Sequence, residues 1–335
     1  MSINILAIES SCDETSAAVM CDGQIRNNLI ATQSIHAKYG GVVPELASRA
    51  HQQKIVPVVD SAIKQAGIRP VDLSAVAFTE GPGLLGALLV GSSFAKSMAL
   101  ALDIPLIAVN HMQAHILAHF IEEPKPQFPF LCLTVSGGHT QIVRVNDHLD
   151  MKVIGQTRDD AVGEAFDKCA KILGLEYPGG PLIDQYAKHG DASRFSFPAT
   201  SIDQLDYSFS GIKTAFLYFI RDELKKDENF VNTNMNDICA SIQRHLVDML
   251  TDKLVKASKK EGIKDIGIAG GVSANCFLRS RLEELGRKHH WRTYIPKFEY
   301  CTDNAAMIAM TAHFKYLSSD FSDLSISAQP RLSIQ

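Results

Sequence analysis

Two distant stretches of this chain carry the same pattern. Residues 5–31, ILAIESSCDETSAAVMCDGQIRNNLIA, are an apolar run, a small polar turn, an alternating run, a Cys-Asp-Gly turn and a further run, the signature of a β-meander. The order returns at 130–156, FLCLTVSGGHTQIVRVNDHLDMKVIGQ, with Ser136-Gly137-Gly138-His139 at the first turn and Asn146-Asp147 at the second. Two more echoes follow in the same order. VAFTEGPGLLGALLVGSSFAKSMAL (76–100) pairs with IGIAGGVSANCFLRSRLEEL (266–285), each a short β-run, a glycine-rich turn and an amphipathic helix. IPLIAVNHMQAHILAHF (104–120) pairs with TYIPKFEYCTDNAAMIAMTAHF (293–314), a strand leading into a helix. Three echoes in one order imply a duplication. Each half then reads as a β-meander followed by alternating helices and strands, an α/β architecture of two mixed sheets flanked by helices and facing one another across a central cleft.

The length of 335 residues suits two cores of ordinary domain size. Helices are expected at 44–66, 84–101, 111–121, 162–173, 181–189, 210–226, 235–260, 274–288 and 303–317, several opening on Pro, Ser or Asp. Glu122 to Pro129, with three prolines, reads as the crossover, which puts one domain at 1–127 and the other at 128–302. The last helix, with the rest of 303–335, repeats the element that ends the first half and is expected to pack back and complete the N-terminal domain.

A formal charge of −4 offers no global attraction to nucleic acid, so a polyanionic partner needs a local patch or help from other subunits. The seven cysteines are scattered, odd in number and never in a C-x-x-C pair, which points away from a disulfide framework and towards a reducing compartment. The N-terminus has no basic segment ahead of an apolar one, so secretion is not expected. The most apolar stretch, Gly83 to Ala95, is cut by Lys96 and then Asp103 and Pro105, short of a membrane span. A cytoplasmic protein without membrane contact is the expectation.

His111, His115 and His119 fall four apart in VNHMQAHILAHF. Positions four apart stand one above the other on a helix, so His111 and His115 share a face at the helix entrance and can grip one metal from adjacent turns. Such a pair also occurs as an ordinary helix face. The repeat adds weight to the metal reading, because the equivalent helix entrance of the second half carries Asp303, expected on the opposite side of the cleft. Two imidazoles and a carboxylate leave coordination positions open, as catalytic metal sites do. His119 lies one turn deeper and is expected to point into packing. A zinc protease needs Glu after the first His of the pair; Met112 stands there, which disfavours peptide hydrolysis.

TVSGGHT (134–140) and AGGVSAN (269–275) offer backbone N–H groups that side chains do not shield, the second just ahead of a helix whose dipole favours anions; YPGGP (177–181) is a third such turn. Together they suggest a nucleotide pocket. Asp167 and Asp184 are placed to accept from ribose hydroxyls or to sit on solvated helix faces, and Asn275 to cap its helix, touch the ligand, or both.

The set ESSCDET (9–15), HAKYGGVVPELASRAH (36–51), NHMQAH (110–115), VSGGHTQ (135–141), GEAFDK (163–168), YPGGP (177–181), YSFSGIKTA (207–215), GGVSAN (270–275) and TDNAAMIA (302–309) resembles the universal tRNA N6-adenosine threonylcarbamoyltransferase family, over Ile3 to about Phe314. The resemblance implies the duplicated actin-like ATPase fold shared with sugar kinases and Hsp70 chaperones. It also implies an acyltransferase that moves the threonylcarbamoyl group from threonylcarbamoyl-AMP to N6 of the adenosine 3′ of the anticodon in tRNAs reading codons that begin with A. By it, His111, His115 and Asp303 hold iron or zinc, iron being favoured, and serve catalysis. Thr134, Val135, Ser136, Gly137, Gly138, Asp167, Gly180, Asp184 and Asn275 contact the adenylate. Implied partners are tRNA, a shorter paralogue of the same fold, a small P-loop ATPase and an upstream synthase. The tail after Ser318 and Cys276 depart from the family pattern, so neither is assigned a role. Lys38, Arg49, Lys213 and Arg244 are candidate tRNA contacts. Rival readings are a kinase or ATPase of the same fold, a noncatalytic interaction subunit and a metalloprotease.

Overall fold

The apolar run Asn4–Glu9 forms β1, the central strand of a five-stranded sheet, and Thr15–Cys21 (β2) folds back antiparallel to it with Ile5 opposite Met20 and Ile8 opposite Ala17. Gln24–Ala31 (β3) extends the meander to the edge, where its polar residues meet solvent. Helix α1 (Pro44–Gln65) leads to β4 (Ala75–Gly81), parallel to β1, and α2 (Leu85–Leu102) leads to β5 (Leu106–Asn110), parallel to β4. The short α3 (His111–Leu117) follows at once. The second half repeats the plan with β6 (Phe130–Val135), β7 (Thr140–Asp147), β8 (Asp150–Gln156), α4 (Val162–Ile172), α5 (Gly179–Ala187), α6 (Ser210–Leu224) and α7 (Phe230–Glu261). It continues with β9 (Asp265–Ala269), α8 (Cys276–His289), β10 (Arg292–Tyr294) and α9 (Ala305–Leu317).

The two sheets have one topology. Their orders, β3-β2-β1-β4-β5 and β8-β7-β6-β9-β10, place the meander and the two crossover strands in the same sequence, with the central strand antiparallel to one neighbour and parallel to the other in each. This is the duplication visible in the sequence.

The computed structural model, which describes residues 2–198, 202 and 204–334, divides into two compact units. Unit 1 is Met1–Lys125, Asn146–Met151 and Pro296–Gln335; unit 2 is Pro126–Val145 and Lys152–Ile295. In unit 1, Leu6, Ile8, Ala17, Val19, Val76 and Phe78 pack with Ile55 and Val59 of α1 and Ala95 and Ala99 of α2. The alternate residues Ile5, Ala7, Ala18, Met20 and Ala77 are equally buried, and α9 packs on these strands, so both faces of the sheet are covered. In unit 2, Leu131, Leu133, Val135, Ile266 and Ile268 meet Phe166, Phe216, Ile242, Leu246 and Leu282.

Several element boundaries differ from the sequence expectation, most by one or two residues. Helix α3 stops at Leu117 and passes into a 3-10 turn, Ala118–Phe120. Helix α7 begins five residues earlier, at Phe230. Helix α5 begins on Gly179 and Gly180, residues with poor helix propensity, because the Asp167 carboxylate accepts both their N–H groups, at 2.8 and 3.2 Å. The expected interruption of the apolar stretch at Lys96 does not end α2, which is long and apolar enough by composition to cross a membrane. Its small-residue face (Ala87, Gly91, Ser92, Ala95, Ala99) is buried, as in a core helix. The Lys96 ammonium donates to the Ile326 carbonyl.

Candidate metal and nucleotide sites

Strand β5 is buried along its whole length and delivers Asn110 to the start of α3, where its side-chain oxygen accepts from Met112 N (2.9 Å) and Gln113 N (3.2 Å). That cap starts the helix one residue before His111, so His111 and His115 occupy its first two turns with their rings 4.6 Å apart and 85° inclined. Their Nε2 atoms stand 3.1 Å apart, and Asp303 Oδ1 lies 3.3 Å from the first and 3.2 Å from the second. Donors about 2.1 Å from a common ion are separated by about 3.0 Å in octahedral and about 3.4 Å in tetrahedral geometry, so the triangle has the size a metal requires.

Asp303 does not come from the opposite half. It enters with α9, which belongs to unit 1, so both imidazoles and the carboxylate sit in one unit. The duplication correctly relates the two helix entrances in sequence, but the last helix returns to the first sheet.

Behind the triangle lies Glu9, fully buried at the end of β1. Its Oε2 accepts from Thr79 Oγ1 at 2.6 Å and lies 2.9 Å from His111 Nδ1; its Oε1 accepts from the Ser11 N–H. A carboxylate on Nδ1 fixes the ring and leaves Nε2 as the lone-pair nitrogen, the supporting arrangement of metal-ligating histidines. Ser11 Oγ is 3.3 Å from the same Nδ1. Sequence reasoning missed Glu9 as a site residue. Its signal was an acidic residue closing a wholly apolar strand, a position that burial makes costly without a partner. His115 Nδ1 is buried without a hydrogen-bond partner among the described residues.

Burial pulls the His111 pKa down, but the facing carboxylates of Asp303 and Glu9 outweigh it and hold the group well above its ordinary value. Burial lowers His115, and the charge of His111 adds to that against the Asp303 hydrogen bond. Burial raises the Asp303 carboxyl, yet the two imidazoles drive it far below the usual carboxylate range. A positive charge is therefore at home here. Glu14 goes the other way: burial, with Asp303 and Asp13 beside it, pushes it up to about 9. His119 is buried on the turn after α3, outside the donor set.

The adenylate candidates all lie in unit 2, where they form a closed chain of contacts. Thr134 and Val135 end β6, fully buried. Ser136 Oγ accepts from His139 N at 3.0 Å and Gly138 N at 3.3 Å, holding a turn in which Gly137 and Gly138 face open space. Gly163, at the start of α4, donates to the Ser136 carbonyl at 3.2 Å. Asp167 on α4 binds the start of α5, including Gly180; Asp184 on α5 accepts from Cys276 N at 3.3 Å. Gly270, with φ +86°, packs directly on the Val135 carbonyl and closes the ring. Asn275 caps α8 through Leu278 N at 2.9 Å and donates to Gln243 Oε1 at 2.7 Å, so both ends of its amide are engaged. Asp167 Oδ1 is likewise occupied. Asp184 Oδ1 and Ser273 Oγ are buried without partners among the described residues.

The candidate RNA contacts are spread over both units. Arg49 pairs with Glu45 at 2.7 Å on α1, Arg244 lies 3.4 Å from Asp248 on α7, and Lys213 is exposed on α6. The Lys38 side chain lies outside the described residues.

A family profile described as TsaD, tRNA N6-adenosine threonylcarbamoyltransferase, matches residues 24–310. The chain belongs to the TsaD family. Curated TsaD relatives named tRNA N6-adenosine threonylcarbamoyltransferase include one from Christiangramia forsetii, 62% identical over 332 residues covering 98% of both chains. Another, from Cytophaga hutchinsonii, is 59% identical over 334 residues, covering 100% of this chain and 97% of the relative. Among solved structures, component A of (R)-2-hydroxyglutaryl-CoA dehydratase from Acidaminococcus fermentans matches with a TM-score of 0.54 at 14% identity, covering 94% of this chain and 99% of that one. Full-length HypF matches with a TM-score of 0.63 at 15% identity, over 96% of this chain but 47% of HypF. At such identities these likenesses speak for the fold, the duplicated actin-like ATPase fold. Membership of the TsaD family sets aside the kinase and protease readings. Position 112 offers no carboxylate; those beside the histidines are Asp303, in the donor triangle, and Glu9, behind His111.

Proposed function

We propose that this chain transfers the threonylcarbamoyl group of threonylcarbamoyl-AMP to N6 of the adenosine immediately 3′ of the anticodon, in tRNAs reading codons that begin with A. The bond from the adenine nitrogen to the carbamoyl carbon forms, the bond from that carbon to the AMP phosphate oxygen breaks, the amine gives up a proton and AMP leaves. An exocyclic adenine amine is a weak nucleophile, so the chain must orient it and stabilise the departing phosphate.

The observation that carries this reading is the donor triangle of His111, His115 and Asp303, with Glu9 fixing the first ring. Those three side chains would hold one divalent ion. Two imidazoles and one carboxylate with open positions suit iron(II) and zinc alike, and the family resemblance favours iron. An ion held there supplies a Lewis acid for the threonylcarbamoyl end. The AMP end is assigned to unit 2. The Gly137-Gly138 turn, whose glycines face open space, receives the phosphate, and the unpartnered Asp184 Oδ1 accepts from a ribose hydroxyl. Asp167 and Asn275 shape those turns as caps. tRNA and threonylcarbamoyl-AMP are the substrates of this reading, in the cytoplasm, with a shorter paralogue of the same fold and a small P-loop ATPase as partner subunits.

The test is mass spectrometry of tRNA nucleosides from cells carrying His111→Ala as the only copy. Loss of threonylcarbamoyladenosine, with a folded protein by circular dichroism, is expected. Normal modification by that variant refutes the role given to the triangle.

A further inference from the structure

The segment after α9 is built into unit 1. Ser322 N donates to the Leu106 carbonyl at 2.8 Å, and Ser322 Oγ accepts from Ala108 N at 3.1 Å, so the tail runs beside β5. Further on, Gln329 N donates to the Glu80 carbonyl at 2.8 Å and its side-chain amide to Glu80 Oε1 at 2.7 Å. Gly81 lacks a side chain where one would run into the Gln329 carbonyl, and Gly83 N donates to the Pro330 carbonyl at 3.2 Å. The Ser333 carbonyl accepts from Asn110 Nδ2 at 3.0 Å.

Two lines of contact run from this tail to His111. The first passes through Asn110: its amide oxygen caps α3 and its amide nitrogen is tied to Ser333, so the tail sets the orientation of the cap that starts the ligand helix. The second passes through the Gly81–Gly83 turn. Leu84 N donates to the Ser11 carbonyl at 2.7 Å, and Ser11 reaches both Glu9 and His111 Nδ1. Both lines end on the ring whose Nε2 faces Asp303.

We infer that residues 329–333 are a positioning strap: by holding the Asn110 amide and the Gly81–Gly83 turn, they aim the His111 imidazole at the donor triangle, so that ion affinity depends on these residues. The inference rests on the proposed metal role of that triangle. None of the three belongs to the donor set, so Asn110, Gln329 and Ser333 act through His111 as positioning residues.

A double-mutant cycle on the full-length protein tests it, with Co²⁺ as the probe and absorbance as the readout. One variant ends at Arg331, removing the Ser333 carbonyl. The other is Asn110→Ser, which keeps a neutral capping oxygen but lacks the amide nitrogen that reaches the Ser333 carbonyl. Each is expected to weaken Co²⁺ binding about tenfold, and the double variant to be no weaker than the worse single one, because both break the same tie. A purely structural role would lower the unfolding midpoint of the metal-free protein and leave the Co²⁺ affinity unchanged, which overturns the inference. So does a double variant whose losses multiply to about a hundredfold. If the shortened chain does not fold, Asn110→Ser alone decides: unchanged affinity overturns the inference. Failure of the unaltered protein to bind Co²⁺ refutes the metal reading itself, a result distinguishable from failure of the strap.

Discussion

Glu9 Oε2 and His111 Nδ1 stand 2.9 Å apart, with the carboxylate wholly buried. Burial raises the carboxyl pKa, but the charge and hydrogen bond of His111 carry it below its ordinary value, so Glu9 is ionised in place. It can then hold the Nδ1 proton and keep Nε2 directed at the ion position. Glu9→Gln keeps the shape and removes the charge, and is expected to weaken Zn²⁺ or Fe²⁺ binding about 10- to 100-fold by calorimetric titration. Unchanged affinity would show that the carboxylate does not orient the ring.

Ion binding should also be visible as stability. A ligand that binds only the folded chain contributes about 2.7 kcal/mol at a hundred times its dissociation constant. Chelation should therefore lower the thermal midpoint of the metal-loaded protein. The same treatment should leave His115→Ala unmoved, because that variant has lost one corner of the triangle. Equal shifts in the two proteins, by scanning calorimetry, would place the stabilising ion elsewhere.

The sequence made the architecture legible because a duplicated pattern is long-range information that one chain carries in itself. The apolar runs of β1 and β6, the Pro, Asp and glycine punctuation and the helical spacings all point the same way, and the two sheets share one strand order. The pair His111 and His115 was legible from period alone. What sequence left open was the side from which Asp303 approaches: the repeat put it across the cleft, whereas α9, packed on the first sheet, brings it into the same unit as the histidines. Nor could it give Glu9, whose partners Thr79 and His111 are 70 and 102 residues away. Asp167 and Asn275 were read as ligand contacts or local groups, and their geometry puts much of their hydrogen bonding into caps.

Gly270 tests the nucleotide ring independently of any metal. Its φ of +86° is unfavourable for other residues, and a Cβ there would press on the Val135 carbonyl. Gly270→Ala is expected to cost about 1–3 kcal/mol in urea denaturation and to weaken AMP binding, since the shift opens the contact between the β9 loop and the end of β6. Gly174, also at positive φ (+78°) but with open space around it, should cost less as Ala and leave AMP binding alone.

Asp159 ties the start of α6 to the loop after β8, accepting from Phe209 N at 2.7 Å and Ser210 Oγ at 2.8 Å, and from the Ser208 hydroxyl. Burial raises its carboxyl, and these donors together outweigh it and bring the group below its ordinary value. A carboxyl with a depressed folded pKa contributes stability that is complete above its unfolded pKa and is lost as pH falls through the folded one. Asp159→Ala should therefore cost about 1 kcal/mol at pH 7 and progressively less below about pH 4, measured by denaturant melts along a pH series.

Whatever this chain of net charge −4 itself contributes to binding tRNA, beyond help from other subunits, has to come from local cations. Arg49 and Arg244 each face a carboxylate on their own helix, which offsets much of their charge, whereas Lys213 is exposed on α6 in the YSFSGIKTA segment. Lys213 is therefore the one expected to meet phosphate. Each phosphate contact contributes about 0.7 to 0.9 to the slope of log affinity against log salt. Lys213→Gln should reduce that slope by about that amount and weaken binding alike for cognate and noncognate tRNA, while Arg49→Gln should change neither. A slope unaltered by Lys213→Gln in fluorescence titrations would remove Lys213 from the interface. The cation that contacts the backbone would then be sought among the paired arginines, whose carboxylate partners would have to be displaced on binding.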